Sequence, residues 1–161
     1  MKNPLFRLLS AVALAAGLSA CATAPAPAPL TETLGRAPQL STFNRLVAEA
    51  GLSEQLRAAG PLTVFAPSDE AFKAVPAKTL EALVADKAQL KAVLSYHIVA
   101  AKLPAAEVRN SNQKTLQGGT IALARAGDFV TVDEAIVQQA DINATNGVAH
   151  VLDRVLMPPK K

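Results

Sequence analysis

The residues of this 161-residue chain that could carry chemistry are few and scattered. Ser68 and Asp69 stand side by side, His97 and His150 are the two histidines, and Cys21 is the single cysteine. A serine nucleophile needs a base held against it, and the Gly-x-Ser-x-Gly elbow that presents one is absent around Ser68. Ser68 is better placed to cap a helix, with Asp69 and Glu70 in a first turn where the macrodipole favours negative charge. A zinc site takes three or four ligands, and two histidines with no free thiol would need carboxylates to complete it. Gly118-Gly119 lacks the pattern of a phosphate-binding loop and reads as a hairpin turn. Asn143-Ala144-Thr145 has the glycosylation pattern, but it adjoins a predicted turn where asparagine is expected anyway. The expectation is therefore no catalytic set, no metal and no cofactor.

The elements around these residues are readable from period and punctuation. Gly60–Phe72 (GPLTVFAPSDEAF) is turn, strand, turn and helix start in one stretch. Leu62–Phe65 suits a buried strand, and Pro67, lacking an N–H, ends it. Leu40, Phe43, Leu46, Val47 and Ala50 fall at helical spacing, with Ser41 or Thr42 as cap and Gly51 as stop. Ser53 opens a short second helix. Lys78–Val84 and Asp86–Val99 read as two more, the latter with Asp86 and Gln89 at capping-box spacing and His97 near one apolar face. There the dipole would favour a cation, but a neutral imidazole bonded to a neighbour serves equally well. The period then shifts to two: Thr115-Leu116, Thr120–Ala124, Phe129–Val132 and Ile136–Gln139 predict an antiparallel meander. Asn146-Gly147 signals a turn before a last strand, Val148–Leu156. Helices first and most strands later is an α+β order.

Composition bounds the class. Half of the residues are apolar but only 4% are aromatic, so a core must be built from Leu, Val, Ile and Ala. Residues 1–20 carry a basic start (Lys2, Arg7), an apolar run from Leu8 to Leu18 and small residues before Cys21, which is a secretory signal pattern. Without Lys2 and Arg7 the charge is 14 basic against 13 acidic side chains, and no basic patch argues for nucleic acid. Leu18-Ser19-Ala20-Cys21 resembles the lipobox of bacterial lipoproteins. That resemblance implies acylation of Cys21, a membrane partner through the lipid, and, since Ala22 replaces the family's retention signal Asp, transport to the outer membrane. Residues 21–30 then read as the lipidated cysteine and an Ala-Pro tether, extended over roughly 25–30 Å in polyproline II. The globular part is expected over residues 31–159, with a basic tail at 160–161.

Three stretches resemble the fasciclin domain family. Thr63–Phe72 (TVFAPSDEAF) is similar to its first box, with Thr63, Phe65, Pro67, Asp69 and Phe72 in place. Tyr96-His97 is similar to its central pair. Asn146–Pro158 (NGVAHVLDRVLMP) is similar to its second box, with Asn146, Gly147, His150, Asp153 and Pro158. The resemblance implies a wedge, a small antiparallel β-sandwich with helices along one side, in which the two boxes are neighbouring core segments. It also implies a non-enzymatic adhesion or protein-interaction module in the cell envelope, with Tyr96, His97, Ile98 and Val99 as candidate interaction residues. Its partner would be an unknown protein or glycan, or a second copy. The alternative is a periplasmic carrier or sensor of a small hydrophobic ligand, since an Ala-rich core makes a cavity conceivable.

Overall fold

The computed structural model describes residues 26–159; the expected signal segment, Cys21, the first part of the tether and the basic tail lie outside them. The described residues open with three α-helices, α1 (Leu30–Gly35), α2 (Ser41–Glu49) and α3 (Ser53–Arg57), with a 3-10 turn at Pro38–Leu40 between the first two. Strand β1 (Leu62–Pro67) follows, then α4 (Asp69–Lys73), α5 (Ala77–Ala85) and α6 (Lys87–Tyr96). Six strands follow: β2 (Ile98–Val99), β3 (Ser111–Lys114), β4 (Thr120–Ala126), β5 (Phe129–Val132), β6 (Ala135–Ala144) and β7 (Gly147–Leu152).

The strands form one ribbon in the order β2-β1-β7-β6-β5-β4-β3. A bridge from Val99 to Thr115 joins its two ends, so the sheet nearly closes on itself. Its two halves hinge at β6, where irregular register between Val137 and Ile142 turns the strand from one half to the other. The α+β wedge is as expected, with one difference in its centre: β1 and β7 run parallel, Leu62 opposite Gly147 through Pro67 opposite Leu152. Parallel pairs are buried on both faces, and every residue of these two strands is buried. Val64, Ala66, Ala149 and Val151 face a core shared with Leu30, Phe43, Leu56 and Leu94 of the helices. Phe65 and Leu152 face the other core, with Ile121, Leu123, Val130 and Val132 of the meander. The two boxes are thus adjacent strands separating two cores.

Several boundaries move, each for a visible reason. The last helix stops at Tyr96 instead of reaching Val99, because His97 is its C-cap and β-branched Ile98 and Val99 pair with Val64 and Thr63. The first meander strand is Ser111–Lys114, a polar edge strand, and not Thr115-Leu116. The second box leaves strand geometry after Leu152 rather than Leu156. Neither Ser41 nor Thr42 caps α2 from its own side chain. Asp69 does so from a distance, with Oδ1 accepting from Thr42 N at 2.8 Å and Oδ2 from Ser41 Oγ at 2.7 Å. Burial alone would raise the Asp69 carboxyl, but these hydrogen bonds outweigh it and hold it below its ordinary value.

The Ala-Pro segment differs most from expectation. Its last residues belong to the domain: Ala28 is buried and its carbonyl accepts from Thr145 N at 2.9 Å and Thr33 Oγ1 at 3.0 Å. Arg36 Nη1 reaches the Ala26 carbonyl at 3.2 Å. The folded unit therefore starts ahead of residue 31, and residues 26–30 are a strap laid across it.

Candidate functional site

Many of the residues singled out in the sequence lie on or beside the β1–β7 pair, and hydrogen bonds account for the polar ones among them. His97 is fully buried, with Nδ1 2.8 Å from the Val93 carbonyl and Nε2 3.0 Å from the Leu156 amide. A carbonyl can only accept and an amide only donate, so the proton sits on Nδ1 and the ring is neutral. Burial pushes its pKa down to about 4, against smaller upward pulls from the Val93 carbonyl and Asp133. The imidazole thus staples the end of α6 to the chain after β7.

His150 does the mirror-image task. Its Nε2 lies 2.8 Å from the Leu103 carbonyl and its Nδ1 accepts from Asp141 N at 3.3 Å, which assigns the opposite tautomer. Its ring stacks on Phe65 with centroids 5.4 Å apart. Burial again lowers its pKa. Asp141 occupies the left-handed region, φ 58°, inside the irregular part of β6, and its Oδ1 accepts from Ala105 N. Thr63 completes this cluster: its hydroxyl donates to the Ala101 carbonyl at 2.6 Å and accepts from Leu103 N at 2.9 Å. Thr63, His150 and Asp141 therefore pin the loop 100–106 across the open side of the sheet.

Tyr96 and Asp133 form a third station. The Tyr96 hydroxyl is 2.9 Å from the Thr120 carbonyl and 3.1 Å from Asp133 Oδ2, while Asp133 Oδ1 accepts from Ala122 N. Burial first, then the Asp133 charge, pushes the phenol up to about 12. Gly119 makes room for this ring, because a Cβ there would sit 2.9 Å from it. Asp153 fixes the start of β6, accepting from Ile136 N at 2.7 Å. Phe72 is buried in the helical core, Pro67 pairs with Leu152 at the end of β1, and Pro158 is half-buried.

Asn146 is the most connected of the set. Its Oδ1 accepts from Leu30 N at 2.9 Å, and its Nδ2 donates to the Leu56 and Ala58 carbonyls at 2.7 and 3.0 Å. One side chain thus ties the strap, the end of α3 and the start of β7 together. Gly147 is required by proximity rather than by the turn itself, since a Cβ would run into the Leu62 backbone carbonyl of the neighbouring strand.

The expected interaction segment comes out differently. Tyr96, His97, Ile98 and Val99 are all 3% exposed or less, so none of these side chains offers a surface to a partner in this conformation. Ser68 caps α4, accepting from Ala71 N at 3.2 Å, and has no base beside it among the described residues. Among those residues no three histidines or carboxylates converge to hold a metal ion.

The paired boxes decide the family. The family model for the Fasciclin domain matches residues 38–158. This chain belongs to the fasciclin domain family. It is 43% identical over 123 residues to Protein sll1483 of Synechocystis sp., covering 73% of this chain and 68% of that protein. It is 32% identical over 136 residues to Immunogenic protein MPB70 of Mycobacterium bovis, covering 81% and 69% respectively. It is 37% identical to the pig Transforming growth factor-beta-induced protein ig-h3 over 119 residues, 73% of this chain but 17% of that one. A solved domain pair from the insect cell adhesion molecule Fasciclin I superposes with a TM-score of 0.65 at 17% identity. That likeness covers 81% of this chain and 51% of that structure, and it establishes the fold.

Proposed function

We propose that this fasciclin domain is a non-enzymatic adhesion module, anchored in the cell envelope through a lipid on Cys21 and binding a protein or surface glycan. The observation that carries the reading is that polar residues of both boxes, and the histidine of the central pair, are spent on the fold. Thr63, Asp69, His97, Asn146, His150 and Asp153 each hold backbone groups of another element. Two neutral histidines with both nitrogens engaged have no lone pair left for a substrate. A domain so built presents a rigid surface, and the related domain pair belongs to a cell adhesion molecule. Outer-membrane attachment follows from Ala22 after the cysteine. Cells carrying the wild-type chain should adhere to a matrix or partner strain more strongly than cells carrying Cys21→Ser or lacking the domain. Equal adhesion by all three sinks the reading.

A carrier of a small hydrophobic ligand is favoured by one feature. A groove of about 850 Å³ opens between α5, α6 and the C-terminal segment, walled by Leu83, Val93, Met157 and Pro158. Native mass spectrometry of protein purified from its own envelope separates the two readings, since only a carrier retains a small molecule.

A further inference from the structure

The strap has a geometric consequence. Cys21 lies five residues before Ala26, and five residues reach at most about 18 Å in any conformation. A folded unit of this size has a radius of gyration of roughly 14 Å, hence a diameter near 36 Å for a sphere. A leash half as long as the domain is wide cannot bring the far pole to the surface it is tied to. The end of the molecule that carries the strap is therefore the end held nearest the anchor.

That end is not chemically blank. Beside Pro29 of the strap opens a concavity of about 500 Å³ at the start of β1 and β7, lined also by Gly60, Thr145 and Asn146. Among the described residues its charged lining is Arg57 and Lys102. Arg57 meets Glu54 at 3.5 Å in an exposed pair, which is weak and gives way to a phosphate that accepts two guanidinium hydrogen bonds at once. Lys102 is exposed and has no ion pair among the described residues. We infer that in the anchored protein this end rests on the bilayer and the Arg57–Lys102 concavity takes the phosphate of an anionic lipid headgroup. The inference rests on the anchoring proposed above. It makes the domain a surface with a fixed orientation, its strap end down and the opposite end of β1 and β7 presented outward.

The test uses the acylated full chain in vesicles of phosphatidylcholine, with or without phosphatidylglycerol, containing nitroxide-headgroup lipid. Acylation consumes the Cys21 thiol, so a fluorophore can be placed on Ala59→Cys at the concavity. Arg154→Cys, beyond the far end of β7 and roughly 20 Å along the strand direction, is the comparison. Quenching should be several-fold stronger at position 59, should rise with phosphatidylglycerol, and should lose that rise in the Arg57→Glu/Lys102→Glu background. Equal quenching at both positions in a protein whose mass includes acyl chains overturns the inference and leaves anchoring intact. A rise that survives the double charge reversal overturns the headgroup site. No acyl mass on the wild type overturns both the inference and the anchoring.

Discussion

Acid should loosen this domain well before its carboxylates are protonated, and His97 should be the main cause. In the folded protein the ring is fully buried, its Nε2 is committed to the Leu156 amide, and its pKa lies near 4. In the unfolded chain it returns to about 6.5. A histidine with a depressed folded pKa contributes stability that is complete above pH 6.5 and is lost as pH falls toward 4, because the unfolded state binds the proton first. The slope is then roughly 1 kcal/mol per pH unit, or about 2 kcal/mol between pH 7 and 4.5. His150, also lowered by burial, adds to the loss as pH falls below its ordinary value. Asp69, whose folded pKa is depressed, behaves as a carboxylate: its contribution is present above its unfolded value near 3.8 and disappears only below it. Urea unfolding at half-unit steps from pH 7.5 to 4.5, for wild type and His97→Gln, isolates the histidine. The glutamine Oε1 can still accept from Leu156, but the Val93 carbonyl is left unpaired, so the variant should lose about 1–3 kcal/mol at pH 7 and show a flatter slope below it. If His97→Gln keeps the wild-type slope, or if the His97 ring titrates near 6.5 by NMR in the folded protein, the assignment of the acid sensitivity is wrong.

Other substitutions probe the remaining contacts. Gly147→Ala should cost about 3 kcal/mol or more in urea unfolding, because its Cβ meets the Leu62 carbonyl and the parallel pair must part, whereas Gly35→Ala, with open space around it, should be neutral or slightly stabilising. Asp69→Ala should cost about 1 kcal/mol and release the Thr42 amide to hydrogen exchange; unchanged protection there would refute the long-range cap. Asn146→Ala should cost roughly 2–3 kcal/mol by stranding the Leu56 carbonyl and the Leu30 amide, and limited proteolysis should then cut within residues 26–30; a strap that stays resistant argues that Asn146 does not hold it.

Local chemistry made much of this molecule legible. Ser68 caps α4 and Asp86 caps α6 as their spacing predicts, because a cap is decided within three residues. The two boxes were visible for a different reason: strands buried on both faces are continuous apolar runs, which neither an exposed strand nor an amphipathic helix produces. What stayed hidden was settled by partners far along the chain. Nothing near Asp69 says that it caps a helix 27 residues earlier, and nothing near Asp133 says that it meets Tyr96. Ile98-Val99 follows a helix without a breaker, and only its pairing with β1 makes it a strand. The buried state of Tyr96 through Val99 has the same origin, for their surroundings are β1, Thr120 and Leu156.

The strap shows how composition alone misleads. Alternating proline removes every second donor, so Ala26–Pro29 can form neither helix nor ladder and reads as a free spacer. Proline leaves the carbonyls in place, however, and it fixes the backbone beforehand, which lowers the entropy lost on docking. Thr145, Thr33 and Arg36 supply donors to those carbonyls, and Asn146 takes the one amide that Leu30 offers. A segment poor in donors is therefore well suited to lie along a donor-rich edge, and here that edge begins with the Asn146-Gly147 pair of the second box. The same turn that joins β6 to β7 also fastens the strap.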